Sequence, residues 1–315
     1  MIFFIEVFET QDIELIRNDL KNKFDYLNGL LLEPKKHDEN INSEINNDCR
    51  NEINEIVANK NKDKEILEKN NTDNNIIYLI LNIPEKKENK ENYFLNNTKE
   101  NYFKNEQINK NNIELYINGE SVDFEKYFKP KKKGLYYIKL IFKQKLKNSK
   151  DMFCNCTHII DIDLSLFKSD EITDMSRMFF NCENLINIDF TNFNTQNVTN
   201  MKQMFSGCEN LKNIDLSFFN TCNVTNFIAM FYKCEKLTTL DLSKFNTKNV
   251  KNMKMMFYSC NGLKNINIES FNTKNVKDMK MMFFGCINLT EINITSFHTQ
   301  NLTDMNMMIF SDAVL

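Results

Sequence analysis

Hydrophobic and polar positions along the second half of the chain repeat with a period of 26 residues. Cys156, Cys182, Cys208, Cys234, Cys260 and Cys286 keep that interval without a slip. The copy opening at Cys182 carries Leu185, Ile188, Phe190, Phe193, Val198, Met201, Met204 and Phe205 before Cys208, and the next copies follow the same order. A fixed period of this length marks one supersecondary unit copied and stacked. Each unit holds two rhythms. Leu185, Ile188 and Phe190 end on a step of two, as a short half-buried strand does. Val198, Met201, Met204 and Phe205 step by three, three and one, which predicts one face of a short helix. The polar Asn194–Asn197 stretch between them predicts a turn, and Thr199, Thr225 and Thr303 stand where a helix cap would.

The motif C-x-x-L-x-x-I-D-L-S-x-F-N-T-x-N-V-T-x-M-x-x-M-F-x-x-C, over roughly residues 152–310, resembles the 26-residue repeat of bacterial and protist surface proteins related to BspA-like leucine-rich repeats. That resemblance implies a leucine-rich solenoid with binding or adhesion roles and no enzymatic activity. The fold class expected is therefore an α/β solenoid over residues 151–315. Its units are strand, turn and short helix, with parallel strands on one face. A single unit cannot bury its own apolar face, whereas stacked units can.

Residues 1–150 read differently. Met1–Glu9 predicts a strand rather than a secretory signal, and Gln11 to about Leu32 has helical spacing through Ile13, Ile16, Leu20, Phe24 and Leu27. Stretches 35–75 and 85–112 are rich in Asn, Lys and Glu and predict disordered insertions. Asn75–Ile83, Glu114–Ile117 and Leu135–Leu146 predict strands, the last of them as the first strand against the repeats. A small α+β region split by two insertions is the expectation. No run approaches the ~18 apolar residues of a membrane span.

Composition narrows the function. A formal net charge of −3 gives no nucleic-acid signature overall. Lys131-Lys132-Lys133 sits in a lysine-rich stretch from Lys126 to Lys150 that reads as a solvated face. The cysteines lack metal-knuckle spacing, so neither metal nor cofactor is expected; they read as small buried hydrophobes, reduced as in an intracellular protein. Cys222 falls in a polar column and should face solvent. No Ser–His–Asp or Cys–His pairing and no glycine-rich phosphate loop is present, and the chain reads as non-enzymatic.

Two surfaces stand out. Asp163, Asp189, Asp215 and Asp241, then Asn267 and Asn293, line the expected concave strand face, with Thr191, Ser217 and Ser243 beside them. This column reads either as a groove for a basic peptide or cation, or as outward strand positions that are simply solvated. Met255, Met281 and Met307, with Tyr258 and Phe284, form an apolar interface on the expected helical side, or else extra packing between neighbouring helices. The expected partner is a protein or peptide, basic in character, with end-to-end self-association at the faltering last copy as a further option. Without an export signal an intracellular scaffold is the expectation; a cell-surface adhesin follows if the N-terminus is incomplete.

Overall fold

A computed structural model describes residues 56, 60, 62–65, 75–98 and 105–309. The expected N-terminal strand and helix, and most of the 35–75 stretch, lie outside those residues. Among the described residues there are ten strands. In chain order they are β1 (Ile76–Ile83), β2 (Asn92–Tyr93), β3 (Ile113–Ile117), β4 (Glu120–Val122), β5 (Tyr127–Phe128), β6 (Gly134–Phe142), β7 (Ile159–Asp163), β8 (Asn187–Asp189), β9 (Thr239–Asp241) and β10 (Asn265–Asn267). The largest sheet runs β4-β3-β6-β1-β7-β8. β1 is antiparallel to both β6 and β7, and β7 is parallel to β8. β9 and β10 form a parallel pair and β2 and β5 an antiparallel one.

The α/β solenoid of strand–turn–helix units is not what forms. The repeats contain strands and turns, and the described helical residues are the 3-10 turn Glu85–Lys87 and a few residues between 56 and 65. The segment read as helical shows why. From Met201 to Gly207 every second N–H leaves its own copy: Met201, Gln203, Phe205 and Gly207 donate to the carbonyls of Asn226, Ile228, Met230 and Tyr232 at 2.7–3.2 Å. The N–H groups of Met204, Ser206 and Cys208 close turns onto Met201, Gln203 and Phe205. An α-helix would spend all of these on carbonyls four residues back. Gln203 and Gly207 are left-handed, with φ of 56° and 78°, and the same column holds Arg177, Ala229, Met255, Met281 and Met307 at 52–57°. A single left-handed residue ends an α-helix. The spacing of three is thus the period of successive tight turns, not of a helical face.

Successive copies lie side by side through parallel bridges joining Asn148, Asp174, Asn200, Asn226, Asn252, Asp278 and Asp304 in order. Core columns stack along this direction. Phe153, Phe179, Phe205, Phe231, Phe257 and Phe283 follow one another with ring centroids 5.1–5.7 Å apart and near-parallel planes, within the range of favourable offset stacking. The cysteines run through the same core. Each of Cys182, Cys208, Cys234, Cys260 and Cys286 donates its thiol to a phenylalanine carbonyl 29 residues earlier, at 3.0–3.2 Å. Cysteine therefore supplies a small apolar volume and a donor for a second carbonyl lone pair. The described cysteines are all free thiols.

The N-terminal region closes the first copy, and here two further expectations change. β1, not Leu135–Leu146, is the strand beside the repeats. The 85–112 stretch is not a disordered insertion where described: Phe94 and Leu95 are fully buried. The N–H groups of Asn96 and Asn97 donate to Met152 and Cys154 carbonyls at 2.8 Å. In later copies the matching carbonyls accept from the preceding copy, so this segment fills the ladder's first rung.

Candidate functional site

The aspartate column has a local reason to exist. In each copy the side-chain oxygen accepts the backbone N–H two residues on: Asp189 from Thr191, Asp215 from Ser217 and Asp241 from Ser243, each at 2.9 Å. Asn267 and Asn293 do the same toward Glu269 and Thr295. The turn needs only an oxygen acceptor, which Asp and Asn both offer. The negative charge at Asp189, Asp215 and Asp241 is therefore surplus to the turn. Asp215 and Asp241 are exposed and make no ion pair among the described residues, while Asp189 is half-buried. The bonds from the Ser243 backbone and hydroxyl hold Asp241 below its ordinary carboxylate pKa.

At the first rung the same position is filled. Asp163 is buried at 1 % exposure and meets two lysines of the chain itself, Lys64 at 2.6 Å and Lys60 at 3.1 Å. Lys60 also lies 3.8 Å from Asp161, and Lys64 3.9 Å from Asp189. Both lysines are helical, one turn apart, so their side chains leave the same face. Between them in sequence, Asp63 meets Lys139 at 2.6 Å and accepts from the Tyr78 hydroxyl at 2.7 Å. Burial would raise the pKa of Asp163, but the Lys64 hydrogen bond, the Lys60 charge and two bonds from Ser165 outweigh it and hold the carboxyl low. Asp161 goes the other way, raised by burial against the pull of Asn187 and Lys60.

Ser165 donates to Asp163 at 2.7 Å and accepts from Lys64 at 2.7 Å. Ser165 thus bridges Lys64 and Asp163, which also meet each other directly at 2.6 Å, in one closed network. Among the described residues no group of three His, Cys, Asp or Glu side chains is placed to hold a metal ion. No described helix is long and apolar enough to cross a membrane. Burial pushes Cys154 up to about 11 and raises Cys182, Cys208, Cys234 and Cys260 well above the ordinary thiol value, which keeps them protonated and unreactive.

Residues 147–265 and 236–314 match the model of the family described as "Mycoplasma protein of unknown function, DUF285", and together they span more than half of the chain. The chain belongs to that family. No curated protein and no solved structure matches it. The family region begins where the bridged ladder begins, at Asn148, so β1 to β6 and the Lys60/Lys64 segment lie outside it.

Thr191 is exposed, and Ser217 and Ser243 serve the column through their N–H groups. Met255, Met281 and Met307 are half-buried beside their left-handed backbone, and Tyr258 stacks between Tyr232 at 4.9 Å and Phe284 at 5.2 Å. Thr199, Thr225 and Thr303 cap no helix; their hydroxyls donate to the carbonyl 26 residues earlier. Sequence reasoning missed Lys60 and Lys64, which sit in a stretch read as disordered. It also missed the column Thr195, Thr221, Thr247 and Thr273, each almost wholly buried. Its one signal was invariance within an otherwise polar turn.

Proposed function

We propose that the chain is a non-enzymatic recognition module. Its aspartate column binds a lysine-bearing segment of a protein partner. The observation that carries this reading is the contrast along the column. The first rung takes the chain's own Lys60 and Lys64, whereas Asp215 and Asp241 keep exposed carboxylates for which the turn has no need. Exposed charge pairs contribute only ~0.2–1 kcal/mol each, so recognition along this column is cumulative and sensitive to salt.

The test is a titration of a labelled helical peptide carrying lysines at positions i and i+4. It compares the full chain with a variant carrying Asp189→Asn, Asp215→Asn and Asp241→Asn. Binding should weaken at least tenfold at low salt while the unfolding midpoint stays put, since Asn already serves at 267 and 293. Equal binding by the two proteins removes the proposal.

The recurring 26-residue motif, which resembles that of BspA-like surface proteins, supports a second reading in which the partner lies outside the cell. Protease shaving of intact cells tests it: loss of the repeats from the surface fraction supports an adhesin, and full protection rejects one.

A further inference from the structure

A second charged surface lies on the run of turns and owes nothing to the aspartate column. In two neighbouring copies every third residue is fully buried: Thr247, Val250, Met253 and Met256 in one, Thr273, Val276, Met279 and Met282 in the next. The residue after each of the first three is a lysine, exposed after the threonine and the valine and half-buried after the methionine. These residues are Lys248, Lys251 and Lys254 in one copy and Lys274, Lys277 and Lys280 in the other. The copies are in register here. Lys277 N–H donates to Lys251 O at 2.9 Å, and Asn252 bridges Asp278. The two rows of lysine are thus about 4.8 Å apart, the spacing of adjacent strands.

The concentration is local. The same three positions hold Gln196, Thr199 and Lys202, then Cys222, Thr225 and Ile228, in the copies before, and Gln300, Thr303 and Asn306 in the copy after. The fold accepts neutral residues there, and like charges opposed on adjacent rungs are unfavourable. Two carboxylates share the run. Asp278 is spent on the Lys280 N–H at 2.9 Å and the Asn252 amide at 3.3 Å, and Asp304 lies 3.7 Å from the Lys280 ammonium. The other five lysines make no ion pair among the described residues.

The shape selects the partner. Four exposed and two half-buried lysines along two rungs, with neutral residues at the same positions of the flanking copies, make a stripe and not a plane, which matches a linear polyanion better than a bilayer surface. No exposed aromatic face lies among the stripe's lysines for the bases of a single strand to stack on. We propose that this stripe binds an anionic polysaccharide, one charged through sulfate or carboxylate groups.

Fluorescence anisotropy with labelled heparin as the probe tests this on the full chain at 50 and 200 mM salt. A variant carrying Lys248→Gln, Lys251→Gln, Lys274→Gln and Lys277→Gln should bind at least tenfold more weakly and show a shallower salt dependence. Its unfolding midpoint should be unchanged, because the equivalent positions already hold the neutral Gln196 and Gln300 and the neutral Thr199, Thr225 and Thr303. A control carrying Lys131→Gln, Lys132→Gln and Lys133→Gln, all exposed lysines elsewhere, should retain its affinity. The proposal is overturned if the stripe variant stays within twofold of the parent or the control loses as much. It is also overturned if oligo(dT) or phosphatidylserine vesicles bind the parent more tightly than heparin does.

Discussion

Thr221→Val is the sharpest test of how neighbouring copies hold each other. The Thr221 hydroxyl donates to the carbonyl of Asn246 at 3.1 Å and accepts the N–H of the same residue at 2.8 Å. Thr221 is 1 % exposed. Valine has nearly the same shape and a more favourable transfer free energy. A model in which this column is merely small and buried therefore expects no loss, or a gain. The hydrogen-bond account expects the reverse, because one donor and one acceptor of Asn246 lose their partner. Unsatisfied buried groups cost ~1–3 kcal/mol each. Part of that is recovered from solvent beside the exposed Asn246 side chain, so about 2–3 kcal/mol is expected in total. Thr221→Ser keeps the hydroxyl and sheds one methyl, worth about 0.8 kcal/mol, and Ser169 fills this place in an earlier copy, accepting Asn194 N–H at 2.8 Å. Urea unfolding followed by tyrosine fluorescence, since the chain has no tryptophan, gives both midpoints at constant slope. If the valine variant is as stable as the serine variant, the hydroxyl ladder contributes nothing and the reasoning fails.

Further outcomes follow from the same geometry. Gly207→Ala should lower stability by about 1–2 kcal/mol in the same urea assay, because its φ of 78° penalises any side chain and the added carbon meets Asn181. Phe231→Ala should cost ~3–5 kcal/mol, whereas Phe297→Ala, at a half-buried position of the last copy, should cost clearly less in thermal unfolding; equal losses would contradict the graded core. A maleimide at pH 8 should label half-buried Cys222 in the folded protein and reach Cys182, Cys208 and Cys234 only on unfolding, as peptide mapping would show. Asp163 has a folded pKa below its unfolded one, so its contribution is complete above about pH 4 and disappears as pH falls through the folded value. The stability gap between the parent and Asp163→Asn should be widest near pH 6 and narrow toward pH 3; a gap independent of pH would rule out the charge network.

The interval of 26 and the columns it aligns were legible in the sequence, because burial here is periodic and each column keeps one residue type. The misreading of Val198–Phe205 as a helix has a physical origin. Both a 3.6-residue helix and a run of tight turns bury positions three apart, and only the destination of the N–H groups separates them. Those bonds cross to the next copy, and no local pattern records this. The aspartates were legible as a column but not as turn acceptors, although the change to asparagine at 267 and 293 carried that hint. Lys60 and Lys64 were not legible at all: their place opposite Asp163 depends on β1 entering the sheet beside β7, a long-range pairing outside the repeat.

The ladder's uniform pitch also bears on how such a chain changes over generations. Excising a whole window, such as residues 209–234, would rejoin phenylalanine to phenylalanine and threonine to threonine, leaving every rung a neighbour of the kind it had before. Losing one residue more or fewer would put lysine where methionine belongs. Length can therefore change only in whole windows if the rungs are to stay in step, and a daughter protein that gains or loses one keeps every packing contact of the kind it had.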